Sequence, residues 1–318
     1  MDYWIPYMWS KRALAKNIIN YIRVNHPKAK YLYDIFWWGG AVSFEALQQG
    51  FEKVYYVDLD KGMCNLMEQI KIWIPEWWNK RVSREEFEEL KNKDDAYSVC
   101  MSIMWSFGNN RDGYLYWDDI VECKKASHDA VVNQDYEWLK KFWFNIELKW
   151  NTVHDRRLEL KTIFAWGQKK TYRYTTLRGI ERIQHLERLE HLERLEHLER
   201  LEHLERLEHL EIRNLNYKNV KIETPIDETV IYCDPPYRWT AEYKVQNEKF
   251  NYKELDKRFR ELPCPAYMSE ENPHTIALTM TKNRTMSWFG AWSNVFEVLY
   301  TNWKTLDKQN EIIESTLF

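Results

Sequence analysis

Glycine is scarce in this sequence. The chain holds 9 Gly in 318 residues, where average usage near 7% gives roughly 22. Tryptophan is abundant instead, at 17. Long apolar runs are also missing. No stretch approaches 18 uncharged apolar residues, so no transmembrane helix is predicted. Cysteine is sparse, with five residues at 64, 100, 123, 233 and 264. The number is odd, and the spacing fits neither a metal site nor a disulfide framework. The pattern predicts a reducing, cytoplasmic setting and no metal. The opening Met1-Asp2-Tyr3-Trp4 lacks the charge and apolar core of a signal peptide.

Strong net charge is absent as well, at −3 overall. Its distribution is uneven. Residues 185–211 repeat His-Leu-Glu-Arg-Leu-Glu and hold nine Glu against four Arg. The remainder of the chain is therefore slightly basic. Leu recurs at every third position of this repeat. That period is neither 3.5 nor 3.6, which excludes a coiled coil. Glu stands four residues before Arg or His, as in Glu190 and Arg194, and these pairs favour a helix over 185–211. The segment reads as an expanded genetic repeat at a domain edge. Its histidines lie six apart and share no helical face, so no metal site is expected there. Just before it, Lys169-Lys170-Thr171-Tyr172-Arg173-Tyr174 interleaves cations, aromatics and hydroxyls. Such a segment predicts a phosphate-contacting strand or hairpin through Lys169, Lys170, Tyr172 and Arg173. Read alone, it is equally a solvated basic face.

The most specific segment is Asp234-Pro235-Pro236-Tyr237, which closes the apolar run Val230-Ile231-Tyr232-Cys233. The run predicts a buried strand. In open α/β sheets, ligands bind at the carboxyl ends of strands. A carboxylate there can accept from an aromatic amine and return electron density to its nitrogen. The prolines fix φ and remove donors, which lets the Pro235 carbonyl serve as a second acceptor. Tyr237 offers a flat face to a base. Two more strands end in functional residues. Asp34-Ile35-Phe36 leads through Gly39-Gly40 into Ala41-Val42-Ser43-Phe44, a strand, glycine turn and helix. Val54-Tyr55-Tyr56-Val57 ends in Asp58, where an acid suits a ribose hydroxyl.

The order of these motifs resembles Dam-type DNA adenine methyltransferases of the alpha group, carried by phages and bacteria. Tyr7-Met8-Trp9-Ser10-Lys11 resembles that family's first cofactor motif, and Asp34–Gly40 its glycine motif. Leu215-Asn216-Tyr217 resembles the segment bordering the cofactor's adenine. Residues 266–270 and 295–300 resemble its late strands. The resemblance implies a Rossmann-like, doubly wound α/β methyltransferase sheet formed by residues 1–70 and 212–318. A helix-rich target-recognition region would be inserted at 71–184. It implies transfer of a methyl group from S-adenosylmethionine to the N6 of a flipped adenine in duplex DNA. Tyr7, Lys11, Asp34, Phe36, Gly39, Gly40 and Asp58 would hold the cofactor. Asp234, Pro235, Pro236 and Tyr237 would carry catalysis. The expected setting is the cytoplasm of a bacterium or phage-infected host. A monomer is expected, with a cognate restriction endonuclease as a candidate partner in a restriction-modification system. Cytosine-N4 methylation is a close variant, although Ser usually stands where this chain has Asp234. Glutamine methylation usually has Asn there.

The chain departs from the family at Trp9, Trp38 and Trp239, where Gly is usual. At Trp38 the Cβ would penalise φ > 0, and the indole would fill space meant for cofactor. Two explanations stay open. Drift could have produced a catalytically impaired nucleic-acid-binding homologue. Alternatively, UGA codons read as Trp in this sequence encode Gly in the source organism. Exchange by one residue type favours decoding.

Overall fold

The computed structural model describes residues 5, 7, 11–36, 38–73, 76–141, 145–171, 191–192, 194, 206–236, 250–270, 276–285 and 292–302. The chain divides into two compact units. One comprises Met1–Trp4, Trp9–Lys71 and His203–Phe318; the other comprises Ile5–Met8 and Ile72–Glu202.

The first unit is built on a seven-stranded sheet. Helix α1 (Ala15–Asn25) precedes β1 (Tyr31–Ile35), then come α2 (Ala41–Gln48), β2 (Lys53–Asp58) and α3 (Lys61–Ile72). The isoleucine spacing predicts the inner face of α1, and Ile18, Ile19 and Ile22 are fully buried. Strand β1 pairs in parallel with β2 on one side and with β4 (Thr229–Cys233) on the other. All five residues of β4 are buried, as expected for a parallel strand covered on both faces. The order is β3-β2-β1-β4-β5-β7-β6, where β5 is Ala266–Glu270, β6 Ile276–Thr285 and β7 Trp292–Thr301. Strand β7 runs antiparallel to both its neighbours. The direction of winding reverses between β1 and β4, and such a switch point opens a crevice at the carboxyl edge. Tyr33, Ile231 and Ala266 from the sheet meet Leu255 and Phe259 of the next helix, Tyr252–Arg260.

The second unit is helical: α4 (Arg84–Leu90), α5 (Ala96–Met104), α6 (Asp118–His128), α7 (Glu137–Lys141) and α8 (Val153–Thr171). In sequence order the sheet-bearing unit's helix Tyr252–Arg260 is therefore α9. Ser83 caps α4 through the Glu86 N–H at 3.2 Å, with Glu85 and Glu86 in the first turn. Asp95 caps α5 through the Ser98 N–H at 3.0 Å. Both caps satisfy donors that the helix itself leaves open.

Two sequence expectations change. Lys169 and Lys170 lie in α8, so the basic segment is helical there and not a strand or hairpin. The cause is at the other end of α8, where Thr152 and Asp155 cap each other's groups at 3.0 and 2.6 Å. A nucleated helix then gains one bond per added residue. Tyr172 and Arg173 lie outside the described residues. Second, the repeat does not stay helical to residue 211. His191, Leu192 and Arg194 are helical, but Leu207–His209 is a 3-10 turn and Leu210 begins β3 (Leu210–Asn214). Pairing of Leu210 and Glu211 with Val54 and Tyr55 of β2 overrides helix propensity. Parts of the repeat are also packed into the fold. His191, Leu192, Leu207 and Leu210 are all buried. Arg206, at φ 72, donates from Nη2 to the Phe51 carbonyl at 2.9 Å.

Candidate active site

The carboxyl ends of β1 and β4 place two carboxyls in one crevice. Asp34 stands one residue before the end of β1 and is 2% exposed. Ser43, from the first turn of α2, donates its hydroxyl to Asp34 Oδ2 at 2.7 Å. Burial pushes the Asp34 carboxyl up to about 8; the Ser43 hydrogen bond opposes this and the nearby Asp234 adds to it. Asp234 follows β4, and its N–H still donates to the Ile35 carbonyl at 3.1 Å. That bond extends the ladder one step and fixes where the side chain emerges. The Asp234 carboxylate meets Lys11 Nζ at 3.1 Å, and both groups are buried.

Lys11, Asp34, Phe36, Trp38, Gly39, Gly40 and Asp234 line one cleft. Gly40 is left-handed at φ 68 and starts α2. Phe36 is left-handed too, at φ 69, a strained state for an aromatic residue of the kind found at functional sites. Trp38 differs from expectation in its backbone: it is not among the residues with positive φ. Its indole does enter the cleft. Nε1 donates to the Asp234 carbonyl at 2.6 Å, and the residue is 8% exposed.

A second cleft is lined by Phe36, Asp58, Leu215, Asn216, Tyr217 and Pro236. Asp58 Oδ1 accepts from the Asp60 N–H at 2.7 Å. The Leu215 N–H and the Asn214 amide both donate to the Asp58 carbonyl, at 3.0 and 3.1 Å. These bonds bind β3's exit to the end of β2. The rings of Phe36 and Tyr217 lie 5.1 Å apart. Phe36 thus borders both clefts.

Of the predicted site residues, Lys11, Asp34, Phe36, Gly39, Gly40 and Asp234 converge on the first cleft, and Asp58 and Pro236 on the second. Pro235 is buried beside them in sequence. Tyr7 is half-buried and groups with the second unit, as do Lys169 and Lys170. Trp9, Tyr237 and Trp239 lie outside the described residues. Sequence reasoning missed Ser43, whose signal is a hydroxyl in the first turn after a glycine pair. In the second unit Phe107 is 62% exposed, beside Gly108-Asn109-Asn110. Among the described residues no His, Cys, Asp and Glu cluster could hold a metal ion. No described helix is long and apolar enough to cross a membrane.

Asp34 makes stability depend on pH in an unusual direction. Below about pH 4 its carboxyl is protonated in both folded and unfolded chains. As pH rises toward 8, the unfolded chain releases a proton that the folded chain keeps. Stability contributed by this group therefore falls across that window, by about 1.4 kcal/mol per pH unit. Asp34→Asn should flatten the decline. Denaturant titrations of both proteins at several pH values check this, and parallel pH profiles would rule it out.

A sequence model of the D12 class N6 adenine-specific DNA methyltransferases matches residues 7–306. No curated protein matches the chain.

Proposed function

We propose that this chain, which belongs to the D12 class N6 adenine-specific DNA methyltransferase family, uses S-adenosylmethionine as methyl donor and acts on an adenine turned out of the duplex. One observation carries the reading: Lys11, Asp34, Asp234 and the Gly39-Gly40 turn meet at the β1/β4 switch point, beside a second cleft ending in Asp58.

The residues fit the donor's adenosine half. Among the described residues the buried Tyr217 hydroxyl has no hydrogen-bond partner, an arrangement that costs free energy unless a ligand supplies one. Asp58 and Asn216 stand at the same cleft, and Phe36 gives it a flat wall. In the first cleft, Asp34 and the amino end of α2 suit the polar amino-acid half, where the Trp38 indole also sits. When bound, S-adenosylmethionine supplies an electrophilic methyl group on a sulfonium.

Asp234 is the acceptor for an adenine N6 hydrogen. Accepting that bond raises electron density on a nitrogen whose lone pair is otherwise delocalised into the ring. Lys11 orients the carboxylate through the buried ion pair. The Pro235 carbonyl is the second acceptor, and Tyr237 stacks on the base. Catalysis by this set is positioning plus hydrogen bonding. The test is transfer of labelled methyl to duplex DNA followed by nucleoside analysis. Label in N6-methyladenine is expected; label in cytosine alone would overturn the reading.

Asp58→Ala should weaken S-adenosylmethionine about tenfold to a hundredfold, since each hydrogen bond to a charged group contributes roughly 1.5–3 kcal/mol. Calorimetry measures this directly. Unchanged affinity would remove Asp58 from the site.

A further inference from the structure

The hexapeptide repeat plays no part in methyl transfer as described, yet one copy is built into the second unit. His191 is 3% exposed and uses both ring nitrogens. Nδ1 meets the Tyr116 hydroxyl at 2.8 Å, and Nε2 meets His128 Nδ1 at 2.9 Å. Trp105 stacks on the imidazole with ring centroids 4.0 Å apart. Burial pushes the ionisation of both histidines down, His128 to about 4, so this is a run of neutral groups whose bonds reinforce one another. Leu192 joins a core with Cys123, Val131 and Leu160.

The same copy supplies Arg194. Its Nη1 donates to the carbonyls of Met104 at 2.7 Å and Ser106 at 2.8 Å, with Ile103 at 3.4 Å. These carbonyls end α5 and enter the following loop, where a helix leaves acceptors open and favours a cation. The loop is tied at its other side by Arg111. Its N–H donates to Ser106 Oγ at 3.0 Å, Nε to Ser102 Oγ at 3.0 Å and Nη2 to the Lys93 carbonyl at 2.8 Å. The Phe107 N–H donates to the Gly113 carbonyl at 2.8 Å and closes the base. What these bonds hold out into solvent is the Phe107 ring. A large aromatic held on a fixed loop suits a partner that offers flat apolar faces. Stacked bases have such faces, and proteins insert apolar wedges between them.

We infer that the repeat copy His191–Arg194 is a positioning element for DNA binding, setting the Ser106–Gly113 loop so that Phe107 meets the duplex. The inference rests on the reading of duplex DNA as substrate.

Anisotropy of a labelled duplex, titrated with the full chain, tests it. Phe107→Ala should weaken binding about tenfold, as stacking contributes roughly 1–3 kcal/mol per base. Arg194→Ala should weaken it similarly, with the dependence on salt unchanged, because the guanidinium is spent on carbonyls and not on phosphate. In the Phe107→Ala background, Arg194→Ala should add little, since both act through one contact. Additive losses, or a salt slope lowered by about one, would overturn the inference. Arg194→Lys keeps a donor at the helix end but not the fork; should the Ala variant unfold, it must lose affinity at an unchanged thermal midpoint. Full binding by a folded Lys variant would count against the brace. A parent chain that binds no duplex would overturn the substrate reading itself. A parent that binds while Phe107→Ala is unaffected would overturn only the inference about the loop.

Discussion

Asp234→Ala should abolish methyl transfer to adenine, by a factor on the order of 10³ or more, while leaving S-adenosylmethionine affinity largely intact. Lost hydrogen-bonding groups at a reacting centre typically have effects of about 10²–10³ each. Here the group also activates the nucleophile, so its effect belongs mainly to the rate. The Ala variant leaves Lys11 buried without its 3.1 Å partner, which destabilises by roughly 3–5 kcal/mol in comparable cases. Asp234→Asn is therefore the companion variant. It keeps the shape and one acceptor but not the charge. Single-turnover transfer of labelled methyl to duplex DNA, with thermal midpoints for both variants, separates chemistry from folding. An Asn variant that is folded and fully active would remove the carboxylate from the mechanism.

Trp38→Gly should strengthen S-adenosylmethionine binding by about tenfold or more. The indole lines the cleft with Lys11, Asp34, Gly39 and Gly40 and is bonded to the Asp234 carbonyl at 2.6 Å. Because the Trp38 backbone avoids positive φ, the gain comes from space and not from relief of strain. Loss of a buried indole typically costs about 3–5 kcal/mol, so the variant should be less stable alone and regain stability as the donor is added. Calorimetry and thermal midpoints with and without donor measure both halves. Equal affinity in the two proteins would make Trp38 a wall of the cleft. The coding DNA gives an independent reading. Trp73, Trp117 and Trp150 are 53%, 72% and 58% exposed, whereas Trp78 and Trp105 are 2% and 3% exposed. Trp73 follows the end of α3, and Trp117 caps α6; glycine is frequent at both kinds of position. UGA is expected at codons 73, 117 and 150, as at 9, 38 and 239, and UGG at 78 and 105. UGG throughout would leave the drift explanation standing.

The parts of the fold that were legible in the sequence share one property: their signal is local. Isoleucine spacing marks α1, the run Arg84–Leu90 marks α4, and apolar runs mark β1, β2 and β4. The edge strands were less legible. Strand β3 begins inside a repeat rich in helix formers, and only its pairing with β2 makes it a strand. Strand β6 carries no run that stands out from its surroundings, and its partner β7 lies downstream. In the site, Asp58 and Asp234 were visible because each ends an apolar run, and Asp34 because a glycine turn and a helix follow its strand. The Lys11–Asp234 ion pair and the Trp38–Asp234 bond join distant parts of the chain. No spacing rule reaches across that separation.

Arg194 and Arg206 occupy the same place in the hexapeptide and stand two whole repeats apart. One is tied to carbonyls at the end of α5, the other to the Phe51 carbonyl. Replication slippage in such a tract adds or removes whole hexapeptides without shifting the reading frame. The gene can therefore change the number of residues between these two attachments while each still receives a histidine, leucine or arginine of the right kind. Alleles that differ in repeat number would encode enzymes with identical anchored ends and connections of different length.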